Sequence, residues 1–545
     1  MCCAFGLLWY NVKTMTTETS IYEYARQGLK KDPEKTAIWF YGRAMSYREL
    51  FCGIDATAER LASLGVTKGS VVTVRLPNCP QTVMAIYAIA KLGGICNMVH
   101  GLLPLDGLRA NMVFCKSGVL ITGNHISDCE KIDFAETILY VDISHYMGTL
   151  SRIGYSLKNK NSRPENAVDF SGVYEHCDIR IPEAKILAKE CGLYMHSSGS
   201  TGSPKAVMLS HLALNNWVEI TRVYFRNVDV TGQVCLSALP YFHALGFQMD
   251  MHRVISCGGT LVLMARWNGK TAVNLIKRHG VTVMAGVPAM CRSLLSQKSF
   301  SGEKIRQLRN CFIGGEKMEQ ELKLAMKERI CASTEPCVYE GYGLTETASA
   351  FAVLEKDHYH IDACGYPQHG VVCKVLREDG VFSSVGEGEL VVSANCLMMG
   401  YLNDPVATEQ AFVECDGERF LRTGDYGLID EAGLIYFKDR IKNTIVRKGN
   451  NIFPNEVEQI IRGVTGIADV CVVGIPDEEN QTESVCACIV PHKEADAELL
   501  KKKVLYECGR FLPAVAVPAK CVFLDEFPKN HMGKIDRIKL KMLVL

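Results

Sequence analysis

Between Tyr194 and Lys205 the chain reads Tyr-Met-His-Ser-Ser-Gly-Ser-Thr-Gly-Ser-Pro-Lys, a run of small hydroxyl residues and glycines that ends on a cation. Gly199 and Gly202 let successive backbone N–H groups converge on one concavity. The hydroxyls of Ser197, Ser198, Ser200 and Thr201 add donors, and Lys205 adds charge. That combination is the chemistry of a phosphate cradle. It is not the GxxxxGK[ST] loop, because Pro204 precedes the lysine and Ala206 follows it. A flexible linker has the same composition, so this segment alone leaves both readings open.

Three more segments carry usable chemistry. In Gly341-Tyr342-Gly343-Leu344-Thr345-Glu346-Thr347, a tyrosine between glycines can lay its ring on a flat base. Thr345 offers a hydroxyl to a phosphate, and Glu346 offers oxygen to Mg²⁺, which favours one or two carboxylates plus phosphate oxygens. A tight turn with an exposed acid is the plainer alternative. In Arg422-Thr423-Gly424-Asp425, read as a turn, Asp425 can accept the hydroxyls of a ribose; an Asx-turn has the same letters. Pro528 to Arg537 is a basic, glycine-containing loop with Lys534 near its centre, which otherwise reads as a solvated charge run.

The elements that must position these residues alternate between helix and strand. Ser46–Ala62 has helical spacing, with Leu50, Ile54, Ala58 and Leu61 on one face. Ser70–Val74 reads as a buried strand and Gln81–Leu92 as a helix. Gly259–Leu263 and Val281–Ala285 continue the strands. The pattern predicts an α/β fold with substantial parallel sheet: layered subdomains and a β-rich region in a large N-terminal part, then a small α+β C-terminal part. The polar stretch Lys438–Asn443 is the expected boundary, giving domains 1–439 and 440–545. Pro454 is read as ending a strand before a helix near Asn455, with a strand at Val470–Val473 and a helix at Ala497–Cys508 beyond it.

Bulk properties set limits. A chain of 545 residues exceeds a single hydrophobic core. Lys plus Arg and Asp plus Glu are both 60, so no global field draws the protein to nucleic acid. The 24 cysteines are scattered without a CxxC pair, which argues against zinc and for small apolar core residues in a reducing compartment. No apolar run reaches the length of a membrane span. The apolar stretch Met1–Tyr10 lacks the flanks of a signal peptide and reads as a leader ahead of Met15. A cytoplasmic protein is expected.

Taken together and in this order, the motifs resemble the adenylate-forming superfamily: acyl-CoA synthetases, luciferase-like enzymes and the adenylation domains of carrier-linked synthetases. The resemblance runs from about Ile21 to Arg537. Gly314-Gly315-Glu316, Gly400-Tyr401 and the stretch Asp439–Lys442 through Lys448-Gly449 to Glu458 extend it. It implies an enzyme that activates a small carboxylic acid with ATP and Mg²⁺ as an acyl-adenylate, then passes the acyl group to CoA. It assigns the ATP phosphates to Ser197–Lys205, the adenine to Tyr342 with Gly343, Gly315 and Glu316 around it, and the phosphates and Mg²⁺ to Thr345 and Glu346. Asp425 and Arg440 fall to the ribose, Lys442 to a hinge, Gly449 to the thiol tunnel, and Lys534 to a mobile catalytic lysine that stabilises charge during adenylation. Two positions depart from the family: Ala206 stands where glycine is usual, and His196 where an aromatic residue is common. Leu239–Phe247 resembles the acyl-pocket motif of fatty and aryl acid ligases and offers His243 and aromatics, which favours a medium- or long-chain fatty acid. A carrier-protein thiol as acceptor, an acyl-AMP ligase that does not use CoA, and a silent nucleotide-binding protein on the same fold remain as alternatives.

Overall fold

The computed structural model describes residues 18–126, 128–158, 163–170, 184–197, 205–222, 232–330, 338–354, 363–447, 450–477, 482–492, 495–529 and 535–545. The chain forms two compact units. Among the described residues, the first comprises those within 18–197, 205–372 and 393–412, and the second those within 373–392 and 413–545. The expected mixed α/β class is what the structure has.

The first unit holds two large sheets. In the eight-stranded sheet the order is 400–401, 205–210, 191–197, 95–98, 71–74, 119–123, 137–141 and 168–169. All neighbours from Cys191–Ser197 onward are parallel, while Lys205–Ser210 turns back antiparallel. The central strands are mostly apolar, as expected where helices cover both faces of a parallel sheet, with Thr73 and Asn97 as buried polar exceptions. The nine-stranded sheet runs 366–367, 349–353, 338–344, 310–313, 283–286, 234–237, 260–263, 36–40 and 43–46. Its parallel centre is edged by antiparallel strands at both ends.

Helices lie where their apolar faces predict. Tyr47–Ser63 starts one residue after the expected Ser46, which instead caps it in a reciprocal box with Glu49. Pro80–Lys91 is buried along its whole length; even Lys91 is 4 % exposed and pairs with Asp55 at 2.7 Å. His252 bridges Tyr87 and Asn215 at 3.1 and 3.0 Å, and burial lowers its pKa to about 3. Such neutral, doubly bonded histidines are core elements.

The second unit is β-rich at first, with strands 382–383, 372–376, 386–393, 418–429 and 412–415 in that order and 435–440 paired to 418–429. Two sequence expectations change here. Arg422–Asp425 is not a turn but lies inside the long strand Glu418–Ile429. Gly424 has φ +69°, and the ladder to Gly386–Ser393 shifts register between Glu389 and Val391, so the turn-like letters mark an irregularity within a strand. Pro454 opens the helix Pro454–Arg462 as its first residue rather than ending the strand Asn450–Ile452, since proline's fixed φ suits that position. Ile467–Asp477, Thr482–Pro491 and Lys520–Phe523 form a three-stranded sheet backed by the helices Ala497–Phe511 and Arg537–Val544.

Thirteen cysteines among the described residues are buried free thiols. They serve as small apolar packing groups. None of the described helices is long and apolar enough to cross a membrane.

Candidate active site

The candidate residues fall on both units, and each unit builds its own part. On the first, the strands Cys191–Ser197 and Lys205–Ser210 pair so that Ser197 faces Lys205 and His196 faces Ala206. The two ends of the hydroxyl-rich segment are therefore held side by side. Ser198, Gly199, Ser200, Thr201 and Gly202 lie outside the described residues. Ala206 is buried in regular strand and absent from the positive-φ residues, so its methyl costs the backbone nothing. His196 is tied into a buried polar net: its Nε2 lies 2.8 Å from Asn97 Oδ1, and Asn97 donates on to Thr73 at 2.9 Å. Side chains from three neighbouring strands thus anchor the residue preceding Ser197.

Glu346 sits in a single 3-10 turn, Thr345–Thr347, directly after the strand Val338–Leu344. The Thr347 hydroxyl clamps that turn, accepting from Leu344 N–H at 2.9 Å and donating to the Ser349 carbonyl at 2.6 Å. Ala348 takes a left-handed φ of +56° to reverse the chain. Thr345 and Glu346 are half-buried, and Tyr342 packs edge-on against the buried Phe351 at 4.8 Å between centroids.

One residue joins these two motifs. The Tyr401 hydroxyl donates to Glu346 Oε1 at 3.0 Å, while Lys205 Nζ lies 4.5 Å from the centre of the Tyr401 ring. Tyr401 is placed by the short strand Gly400–Tyr401, which adds to the edge of Lys205–Ser210. Gly400 has φ +150°, and a Cβ there would lie 2.6 Å from the Thr408 methyl. The structure therefore brings Ser197, Lys205, Thr345 and Glu346 into one neighbourhood. Sequence reading noted Gly400-Tyr401 as a matching pair but assigned it no chemistry.

Gly315 and Glu316 are exposed in the loop after the strand Asn310–Ile313, with Gly315 at φ +82°. His243 is half-buried, and its carbonyl accepts the Phe247 N–H at 2.9 Å to start the short helix Ala244–Phe247. Its ring stacks obliquely on Phe242 at 4.3 Å, and Phe242 in turn meets His100 at 4.6 Å. The loop beneath is pinned by Asp250, whose Oδ2 accepts the Ala238 and Leu239 N–H groups at 3.1 and 3.0 Å. Burial pushes that carboxyl up to about 7. A cavity of about 30 Å³ lies nearby, walled by Trp217, Leu245, Met249 and Phe312 and reaching Gly314 and Gly341. Its walls thus include the residues immediately before Gly315 and Tyr342.

On the second unit, Asp425 and Arg440 are direct cross-strand partners, with Arg440 Nε 2.8 Å from Asp425 Oδ1. Asp425 is 1 % exposed. Glu389 fixes the stretch before it, taking both Nε and a terminal nitrogen of Arg422 at 2.9 and 2.6 Å and the Gly424 N–H at 3.1 Å. Lys442 is exposed in the single turn Ile441–Asn443. Asp439, just before it, accepts N–H groups from Arg440 and Asn455 at 2.7 and 2.8 Å and so ties this segment to the helix Pro454–Arg462. Gly449 and Lys534 lie outside the described residues. The residues on either side of 530–534 are tied down: Lys529 and Ile535 pair, and Arg537 reaches the buried Glu458 at 2.8 Å and the Val472 carbonyl at 2.5 Å. Sequence reading missed Glu389, and it listed Glu458 and Arg537 only as motif ends.

Among the described residues no group of three or more His, Cys, Asp or Glu side chains gathers to hold a metal. A lone half-buried carboxylate beside a lysine suits Mg²⁺, which keeps its water and phosphate ligands and needs one protein oxygen.

With the geometry in hand, the comparisons are consistent. The family model described as AMP-binding enzyme matches residues 25–402. The chain belongs to the AMP-binding enzyme family. The model for the AMP-binding enzyme C-terminal domain matches residues 456–534, the part that carries Glu458 and Lys534. Relatives within reach include a long-chain-fatty-acid–CoA ligase of Bacillus subtilis, 27 % identical over 93 % of this chain and 91 % of its own. A 4-coumarate–CoA ligase of Narcissus pseudonarcissus is 28 % identical over 97 % and 92 %. Among solved structures, ATP-bound MatB of Rhodopseudomonas palustris superposes with a TM-score of 0.80 at 23 % identity, covering 96 % of this chain and 99 % of its own. The adenylate-forming family and its fold are thus shown for this chain; the acids named for these relatives differ from one another.

Proposed function

We propose that this AMP-binding enzyme is an ATP-dependent acid–thiol ligase, which joins a carboxylic acid to AMP with release of pyrophosphate and then transfers the acyl group to CoA. The observation that carries the reading is the Lys205–Tyr401–Glu346 cluster, adjoining the motif whose Gly341 also walls the apolar cavity. In this reading a phosphate-binding cation and a metal-binding carboxylate meet through Tyr401, and the small apolar cavity at Gly341 would take part of the acyl group.

In this reading Lys205 and the hydroxyls from Ser197 to Thr201 take the ATP phosphates, and Thr345 adds a hydroxyl donor. Glu346 would hold Mg²⁺, which when bound neutralises phosphate charge. Tyr342 supports the adenine beside Gly343, Gly315 and Glu316, and Asp425 exchanges its bond to Arg440 for the ribose hydroxyls. Attack of the acid's carboxylate on the α-phosphorus brings two anions together; Lys534 offsets the charge that builds on phosphate oxygen. Residues 440–545 act as a mobile C-terminal domain hinged at Lys442, with Gly449 lining the path of the thiol. His243 borders the acyl entrance. Each methylene buried in the cavity contributes about 0.8 kcal/mol. A buried water needs roughly 10–15 Å³ on the same measure, so a cavity of about 30 Å³ has space for about two or three waters and would take a medium-length acyl group only with movement of its walls.

The test is acid-dependent pyrophosphate release and acyl-CoA formation, followed separately with the purified protein, ATP, Mg²⁺ and a panel of aliphatic, aryl and amino acids. Both products, with pyrophosphate release lost in Lys534→Ala, support the reading. Adenylate without CoA turnover would move the acceptor to a carrier-protein thiol. Nucleotide binding with no pyrophosphate from any acid would sink the ligase reading.

A further inference from the structure

One surface helix of the first unit turns its apolar side outward. Thr149–Lys158 follows the strand Thr137–Val141 and carries Leu150, Ile153 and Leu157 at the spacing of a single helical stripe. These three side chains are 88, 55 and 83 % exposed. It is the other side of the helix that packs. The Tyr155 hydroxyl donates to the Asn124 carbonyl at 3.2 Å, and the N–H of Gly148, just before the helix, donates to the Tyr41 carbonyl at 3.0 Å. A surface helix ordinarily lays its apolar stripe on the core and shows its polar residues to water. Single exposed leucines need no explanation, but a contiguous stripe of aliphatic side chains marks a contact surface.

Charge around the stripe has one sign. From Ile143 to Pro164 the sequence contains no Asp or Glu, while Arg152, Lys158, Lys160 and Arg163 fall within it. Arg152 is exposed. A second element adds to this, because the exposed Arg43 donates to the His145 carbonyl at 3.5 Å and lies 5.2 Å from the Tyr146 ring, at the approach to the helix. Of the nearest acids in the chain, Asp142 accepts from Asn124 and the Ser144 hydroxyl at 2.6 and 2.7 Å, Asp169 pairs with Arg163 at 3.6 Å, and Glu165 is exposed.

We infer that Thr149–Lys158 docks this protein on an anionic lipid surface. The helix lies in the plane of the interface, with Leu150, Ile153 and Leu157 among the acyl chains and the cations at the headgroups. Three aliphatic side chains supply far less than the roughly 800 Å² per partner that a stable protein interface buries, and the stripe has none of the Trp or Tyr anchors of such interfaces. A bilayer asks for neither, and the negative potential of its surface matches the cations. Binding of this kind is weak and reversible, and it is separate from the ligase reading, since it concerns where the first unit sits.

Flotation of the full-length protein with vesicles tests it. Partition onto phosphatidylcholine vesicles with roughly one-third phosphatidylglycerol is expected to exceed partition onto phosphatidylcholine alone about ten-fold, a difference that high salt removes. Leu150→Gln with Leu157→Gln should lower the anionic partition about ten-fold, and Arg152→Glu about five-fold. Both variants change exposed side chains, so Tm should stay within a degree or two of the parent's. No partition onto anionic vesicles, or partition that survives the double variant, overturns the inference. A Tm several degrees lower in the double variant would show that the stripe is already covered within the protein. A dimer in light scattering that the double variant dissolves would assign the stripe to a second copy. Either result also overturns it.

Discussion

Removing the Tyr401 hydroxyl should weaken nucleotide binding while leaving the chemical step nearly untouched. Its oxygen lies 3.0 Å from Glu346 Oε1, and among the described residues no other side chain bonds to the Glu346 carboxylate. A bond to a carboxylate contributes about 1.5–3 kcal/mol, and both groups here are half-buried, so the lower end applies. At about 1.4 kcal/mol per tenfold, Tyr401→Phe should raise the KM for MgATP roughly ten-fold and change kcat by less than three-fold. The phenyl ring still meets Lys205, so that contact is kept. Tyr401→Ala loses it too, adding about 0.5–1 kcal/mol, or a further two- to five-fold. Calorimetric titration with ATP and Mg²⁺ reads the binding term without requiring the acid to be known. A carboxylate has four acceptor positions, so Tyr401 on Oε1 leaves Oε2 for a cation. Should Tyr401→Phe bind MgATP as tightly as the parent, or more tightly, the hydroxyl is a bystander or a competitor and the preorganisation argument fails.

Three further outcomes are expected. Arg537→Lys cannot reach both Glu458 and the Val472 carbonyl, so it should lower Tm by a few degrees and slow pyrophosphate release about ten-fold, while acyl transfer from preformed acyl-adenylate to CoA stays within two-fold; equal loss of both half-reactions would show only general damage. The folded-state pKa of Asp250 lies above its unfolded value, so its stability contribution is complete below about pH 4 and is lost as pH rises towards about 7. Asp250→Asn keeps an acceptor for Ala238 and Leu239 without ionising, and its advantage over the parent in urea unfolding should grow by a few kcal/mol between pH 4 and 8; a gap that stays flat refutes the assignment. Gly343→Ala places a Cβ 2.2 Å from the Ser349 carbonyl oxygen and should cost several degrees of Tm and most ATP affinity, whereas Gly424→Ala meets no atom within 4 Å and pays only the roughly 1–2 kcal/mol of a left-handed φ.

How much of this was legible in the sequence depends on how local each feature is. The motifs read for phosphate, adenine and ribose are contiguous runs that are ambiguous one by one and point to a family only in their order, and the parallel strands announce themselves as mostly apolar runs bounded by helices. Helix ends were off by a residue where a cap was counted as helix, as at Ser46. Arg422–Asp425 was misread as a turn because glycine and aspartate are turn residues; only the neighbouring strand, through Glu389, shows that the irregularity is held within a ladder. Tyr401 was seen but not understood, since its meaning comes from a two-residue strand adding to Lys205–Ser210 almost two hundred residues away.

Gln368 is the limiting case. Nothing in Tyr366-Pro367-Gln368-His369-Gly370 separates it from any surface glutamine of a loop. Its burial follows from the edge strand before it and from the Ala350 carbonyl, which takes its Nε2 as well as Trp217 Nε1. The family is legible because its motifs are runs of adjacent residues. The cavity is not, because its walls are drawn from positions scattered between Trp217 and Gln368 and meet only once the sheet has formed.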